Sequence, residues 1–249
     1  VAAMAEPLIP APMLRTRGLT VRFGGVTAVD AVDVEIAPGE LRCLIGPNGA
    51  GKSTFFKAVT GQIRPSAGTV EIAGKSTVGL ERHEIARLRV GIKTQVPSVF
   101  DGLSVAQGLR IAARRAHAGA DVEASVDALL DRLRLKAVAR RSVAELSHGQ
   151  RQWVELGMVL ATDPALMLLD EPVAGMSDEE TARTAELVKA MAGERAMLVV
   201  EHDMRFVRDI ASRVTVLHRG AVLREGTVAE VLADETVRDV YLGREKSHA

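Results

Sequence analysis

Gly46-Pro47-Asn48-Gly49-Ala50-Gly51-Lys52-Ser53 fits the spacing G-x-x-x-x-G-K-[ST] at every fixed position. Glycines so placed let the backbone curl until successive amide N–H groups face one point, and a helix starting at the lysine adds the positive end of its dipole. Such a surface binds phosphate. Lys52 would reach the β- and γ-phosphates, and Ser53, followed by Thr54, would offer a hydroxyl to Mg²⁺. A triphosphate also needs a second magnesium anchor and a group to orient water. In "ALMLLDEP", apolar residues put Asp170 at the carboxyl end of a buried strand, where open α/β sheets place their ligands, and Glu171 follows directly. Asp170 suits the Mg²⁺ shell and Glu171 suits a general base. Spacing alone leaves the plainer use, an acidic pair capping the next turn, open.

A third stretch, "LSHGQRQW" from Leu146 to Trp153, has neither metal-ligand spacing nor a nucleophile–base pattern. Ser147 and Gln150 stand as N-cap and third helical residue of a capping box. That turn also presents helix N–H groups, a hydroxyl and Gly149 without a side chain, with Leu146 before it and His148 inside it. A capped helix and an anion site are here one object.

These residues need a scaffold. "LTVRFGGVTAVDAVDVEI" reads as a strand hairpin broken at Gly24-Gly25, "LRCLIG" as a short buried strand and "TFFKAVTG" as a helix, so the phosphate loop joins strand to helix. "GTVEIAG" is another strand. A long helical stretch from Ser104 to about Arg141 then looks like an inserted lobe, with Ser104 and Gln107 as a further capping box. From Ser147 the chain alternates helix, strand, helix, strand, helix, and closes with "RVTVLHRGAVLREG" as a hairpin. That order predicts a mostly parallel sheet with helices on both faces.

Composition excludes several functions. The chain has 249 residues, 47% hydrophobic, with 32 basic and 32 acidic side chains, so no global field attracts nucleic acid or an anionic membrane. Cys43, the single cysteine, implies no disulfide framework and a reducing compartment. No apolar run reaches the roughly 18 residues a membrane span needs. Pro7, Pro10 and Pro12 make residues 1–13 an expected flexible tail.

"LSHGQ" resembles the signature LSGGQ of ATP-binding cassette (ABC) ATPases, and it stands between a phosphate loop and "LMLLDE" in that family's order. The resemblance implies an α/β fold: a P-loop NTPase core with an antiparallel β subdomain and an inserted α-helical signature subdomain. Residues 14–249 would form one ABC ATPase domain, the helical subdomain covering about 96–162. It further implies that Gln95 is the Q-loop glutamine, touching metal and water, and that His202 in "VVEHDM" is the switch histidine on the γ-phosphate. Phe23 would stack on adenine. ATP and Mg²⁺ would be the cofactors, with Ser53, Gln95 and Asp170 at the metal. In that family the signature, Leu146 to Gln150, closes over nucleotide held by a second cassette.

Two positions depart from the pattern: His148 stands where glycine is usual, and Ser177 stands where the D-loop usually carries aspartate. Ser177 with Glu180 forms a capping box of its own. "VRFGGVTAVD", "VEHDMRFV" and "VYLG" look like the ATPases of the hydrophobic amino acid and amide uptake family of bacterial importers, and "LSHGQRQW" with "DEPVAGMSDEETARTAEL" is most similar to its urea-transporting members. Branched-chain amino acid import is the alternative, and a soluble non-transport ABC ATPase a more distant one. The implied partners are a second cassette, a copy or a paralogue, two integral-membrane permeases and an external substrate-binding protein. No nucleic acid is expected. The implied location is the cytoplasmic face of the membrane, with Val99 and Phe100 as candidate permease contacts or, equally, a hydrophobic staple for the helix that the Ser104 capping box begins; Arg114 and Arg115 suit a solvated helix face better than lipid headgroups.

Overall fold

Two sheets divide the chain. In this computed structural model, which describes residues 11–242 except Pro97, β1 (Leu14–Phe23) and β2 (Val26–Ile36) pair antiparallel through Gly24-Gly25, as the hairpin pattern predicts. β3 (Leu41–Ile45) runs into the phosphate loop and α1 (Lys52–Val59). β4 (Ala67–Ile72) and β5 (Lys75–Ser76) complete a sheet of order β2-β1-β4-β5. Most of the expected tail lies outside the described residues; Met13 is already tied in, donating to Ile36 and accepting from Ala73.

α2 (Arg82–Arg87) leads to β6 (Val90–Lys93). The single helical stretch expected after it is broken into α3 (Val105–Ala113) and α4 (Ala120–Arg132), with 3-10 turns at Lys136–Val138 and Val143–Glu145. The cause is local: Gly119 and Arg134 both take positive φ, 57° and 52°, which no continuous helix contains. Next come α5 (His148–Ala161), β7 (Leu166–Asp170), α6 (Asp178–Met191), β8 (Ala196–Val200) and α7 (Met204–Ile210). β9 (Arg213–His218) and β10 (Ala221–Gly226) form the terminal hairpin, followed by α8 (Val228–Ala233) and α9 (Glu235–Leu242).

The second sheet has the order β10-β9-β3-β8-β7-β6, parallel throughout except for β10. Every residue of β3, β7 and β8 is buried, because both faces are covered; they read as continuous apolar runs rather than alternation. Alternate residues nonetheless serve different cores. Leu44, Leu166, Leu168, Leu198 and Val200 face α1 and the antiparallel sheet. Cys43, Ile45, Met167, Leu169, Met197 and Val199 face the core shared with α3 to α7. The phosphate loop and the segments carrying Glu171 and His202 therefore leave the carboxyl ends of β3, β7 and β8, strands clamped on both sides.

Candidate nucleotide site

The phosphate loop is made of backbone. Gly46 has φ 154°, and a Cβ there would lie 2.3 Å from the Leu217 carbonyl; Gly51 has φ 100°, and its Cβ would lie 2.4 Å from the Ala28 carbonyl. Only glycine fits either place. No side chain caps α1 and its first turn holds no acidic residue, so the N-terminal amides meet no competing anion. Lys52 is buried, its Nζ donating to the Gly46 carbonyl at 2.6 Å and the Pro47 carbonyl at 3.0 Å. Burial pulls its pKa down, while Glu171, Asp170 and Glu201 push it back up. Asn48, Gly49 and Ser53 are exposed, with Thr54 half-buried behind them.

Asp170 sits at the end of β7 and is buried. Its pKa is pushed up to about 6, first by burial and then by the charge of Glu171, against the pull of Lys93 and Lys57. Glu171 takes a left-handed backbone, φ 45°, costly for a side chain with a Cβ. It is held there by its amide donating to Val200 at 2.9 Å, and its carbonyl accepts from Ala174 at 3.2 Å. Two predicted partners converge on its carboxylate: Gln95 Nε2 donates to Oε2 at 2.9 Å, and His202 Nδ1 lies 3.4 Å from Oε1. The base candidate, the Q-loop candidate and the switch candidate are thus one cluster.

Three residues of this cluster escape sequence reasoning. Glu201, the last residue before the histidine in "VVEHD", is buried, and its Oε2 accepts the amides of His202 and Asp203 at 2.8 and 3.1 Å. Burial raises its pKa. An acid ending an apolar strand was the available signal. Lys93 and Glu155 form a buried ion pair at 3.3 Å, and Ser98 N donates to Glu155 Oε1 at 2.9 Å. Both flanks of the Gln95 loop are thereby fastened to α5. No local pattern announces a pair 62 residues apart.

At the signature, Ser147 and Gln150 form the predicted capping box, with Ser147 Oγ accepting from Gln150 N at 3.2 Å. Leu146 is buried and Gly149 lies under Glu180, whose Oε1 would be 2.1 Å from a Cβ at that position. Ser177 caps α6 with Glu180 in return. Phe23 is 51% exposed at the end of β1, free to offer a ring face instead of filling a core. Trp153 is buried, its Nε1 donating to Thr184 and Arg183 lying 3.7 Å over its ring. Cys43 is fully buried, which pushes its thiol pKa up. Tyr241 reaches the phosphate loop: a backbone bond with Gly46 lowers a phenol pKa that burial pushes up to about 12.

Ser53, Asp170 and Gln95 supply hydroxyl, carboxylate and amide oxygens, hard donors that suit Mg²⁺. A buried carboxylate crowded by a second one is a place that a divalent cation relieves. The donor set fits that ion.

A family model described as ABC transporter matches residues 29–174. The chain belongs to the ABC transporter family. Its chemistry is ATP hydrolysis with Mg²⁺. The cassette is 33% identical over 252 residues to the high-affinity branched-chain amino acid transport ATP-binding protein LivG of Escherichia coli, covering 93% of this chain and 98% of that one. It is 32% identical over 250 residues to the corresponding protein BraF of Pseudomonas aeruginosa, with the same coverage. Among solved structures, the ADP conformation of MJ1267, an ATP-binding cassette of an ABC transporter, matches with a TM-score of 0.82 at 26% identity, over 93% of this chain and 99% of that one. A dimeric cassette, MJ0796 bound to ADP and Pi, matches with a TM-score of 0.76 at 25% identity, over 87% and 99%. Among the described residues no helix of the cassette is long and apolar enough to cross a membrane.

Proposed function

We propose that this cassette is the ATP-hydrolysing subunit of an importer for branched-chain or similarly hydrophobic amino acids. The meeting of Gln95, His202 and Glu171 at the mouth of the phosphate loop carries the motor assignment. Likeness to LivG and BraF over nearly the whole chain supports the cargo. Phosphates of ATP lie on the amides of the loop from Gly46 to Ser53 and draw Lys52 away from the Gly46 and Pro47 carbonyls. Adenine stacks on Phe23. Glu171 takes the proton of the attacking water, oriented by Gln95, while His202 donates toward the γ-phosphate. Ser53, Asp170 and Gln95 would hold Mg²⁺, which neutralises phosphate charge.

The helix N-terminus at Ser147 faces a second cassette in this reading and completes the partner's pocket, so binding of ATP closes the pair and release of phosphate opens it. Closure reaches two membrane permeases through the segment after Gln95, where Phe100 is 58% exposed and Val99 packs on the core. An external binding protein delivers cargo, and the cassette works at the inner membrane face. A urea or short-amide importer is the second reading, favoured by "LSHGQRQW" and "DEPVAGMSDEETARTAEL" alone.

Purification of the native complex tests both parts. Its ATPase should fall about a hundredfold or more with Glu171→Gln while nucleotide stays bound. The co-purified binding protein should bind leucine; binding of urea and not leucine would replace the cargo assignment, and full turnover by Glu171→Gln would overturn the base.

A further inference from the structure

His148, the residue that departs from the signature pattern, has a task of its own. It is the first residue of α5, and its imidazole turns away from the cap toward the loop that follows β7. Nε2 lies 2.9 Å from the Ala174 carbonyl, and a Cβ on Gly175 would lie 3.2 Å from the same nitrogen. A carbonyl only accepts, so Nε2 carries the hydrogen. Gln152, one turn further along α5, sets its amide Nε2 at 3.2 Å from that nitrogen, while its Oε1 is buried without a partner. Turned by half, that amide would set its oxygen on the imidazole N–H beside the Ala174 carbonyl.

Ala174 is no ordinary acceptor. Its amide donates to the carbonyl of Glu171, closing the turn that keeps Glu171 in its left-handed conformation. The linkage therefore runs from the signature helix through His148 and Ala174 to the backbone of the catalytic carboxylate. Beside it, Glu180 of α6 lies over Gly149, and Trp153 of α5 donates to Thr184 of α6. A glycine at position 148 would leave the α5–α6 packing but remove the only side chain of the cap turn that reaches the Glu171 turn.

We propose that His148 is a positioning residue that locks the signature turn to the Glu171 turn within one chain, so that the two move as one body when the nucleotide site closes. The proposal rests on Glu171 as the base and goes beyond it: the part of the cassette that meets another chain's nucleotide would set the geometry of the carboxylate that hydrolyses its own.

The test measures steady-state ATPase and nucleotide affinity for His148→Gly, His148→Ala and His148→Gln, with thermal melts as a folding control. His148→Gly and His148→Ala should lower kcat about fivefold to tenfold with KM and ATP affinity unchanged and only a small fall in melting temperature, since the phosphate loop and the Ser147 cap are untouched. His148→Gln keeps an N–H donor within reach of Ala174 and should recover most of the loss. Wild-type kcat in His148→Gly overturns the lock, as does a glutamine variant that falls as far as the glycine one. Glu171→Gln run in parallel separates the two ideas: its full activity would refute the base, whereas an inert Glu171→Gln beside an unaffected His148→Gly would refute only the lock.

Discussion

The cassette holds two candidate anion-binding helix N-termini that are built in opposite ways. At the phosphate loop the backbone shapes the cradle: a Cβ on Gly46 or Gly51 would come within 2.3 or 2.4 Å of the Leu217 or Ala28 carbonyl, and no side chain caps α1. At the signature, side chains do everything: Ser147 and Gln150 cap α5, His148 reaches Ala174, and Glu180 covers Gly149. The first site is complete within its own chain and closed to substitution. The second spends its donors on capping and cross-ties, which suits a surface that must keep its shape until another molecule presents an anion.

The difference makes predictions of decreasing size. Gly46→Ala should abolish nucleotide binding, measured by a fluorescent ATP analogue, because its Cβ cannot avoid the Leu217 carbonyl. Tight binding by that variant would mean the loop is not rigid. Between the two sites, the buried Lys93–Glu155 pair ties the Gln95 loop to α5. Lys93→Met alone leaves an unpaired buried carboxylate and should cost about 3–5 kcal/mol in denaturant unfolding, whereas Lys93→Met with Glu155→Met should recover most of it.

Asp170 gives a smaller, pH-dependent effect. Its folded pKa of about 6 lies above the ordinary 3.8, so the nucleotide-free fold loses stability as pH rises through that interval and regains it on acidification. Asp170→Asn should therefore stabilise the free protein at pH 7 by up to about 3 kcal/mol, an advantage that disappears below pH 4, while removing the stabilisation given by Mg²⁺ and ATP. An equal advantage at pH 4 and pH 7 would mean that this charge is not strained. Smallest is Ser147→Ala: loss of one cap should cost about 1 kcal/mol in melting and leave the chain's own ATP affinity intact, while lowering turnover.

What the sequence makes legible follows from how local each device is. The phosphate loop, the capping boxes at Ser104, Ser147 and Ser177, and the buried strands that lead to Asp170 and to His202 are contained in windows of about ten residues, where periodicity and spacing operate. The convergence of Gln95, Glu171 and His202 came from resemblance, since nothing in their spacing joins them. Glu155, Glu201 and the link from His148 to Ala174 were missed. The Lys93–Glu155 pair and the His148–Ala174 link join segments 62 and 26 residues apart that only the folded chain brings together, whereas Glu201 bonds its own neighbours and is hidden only by its burial. The break at Gly119 was missed for a simpler reason: alanine, leucine and arginine around it favour helix strongly enough to mask one residue of positive φ.

In the proposed motor each chain offers a complete phosphate cradle and only half of a hydrolytic pocket. The specific ATPase rate of the purified cassette, followed over a hundredfold range of its own concentration at saturating Mg²⁺ and ATP, tests this directly. The rate per molecule should climb from near zero to a plateau as chains pair. A rate per molecule that is constant and full at the highest dilution would contradict it.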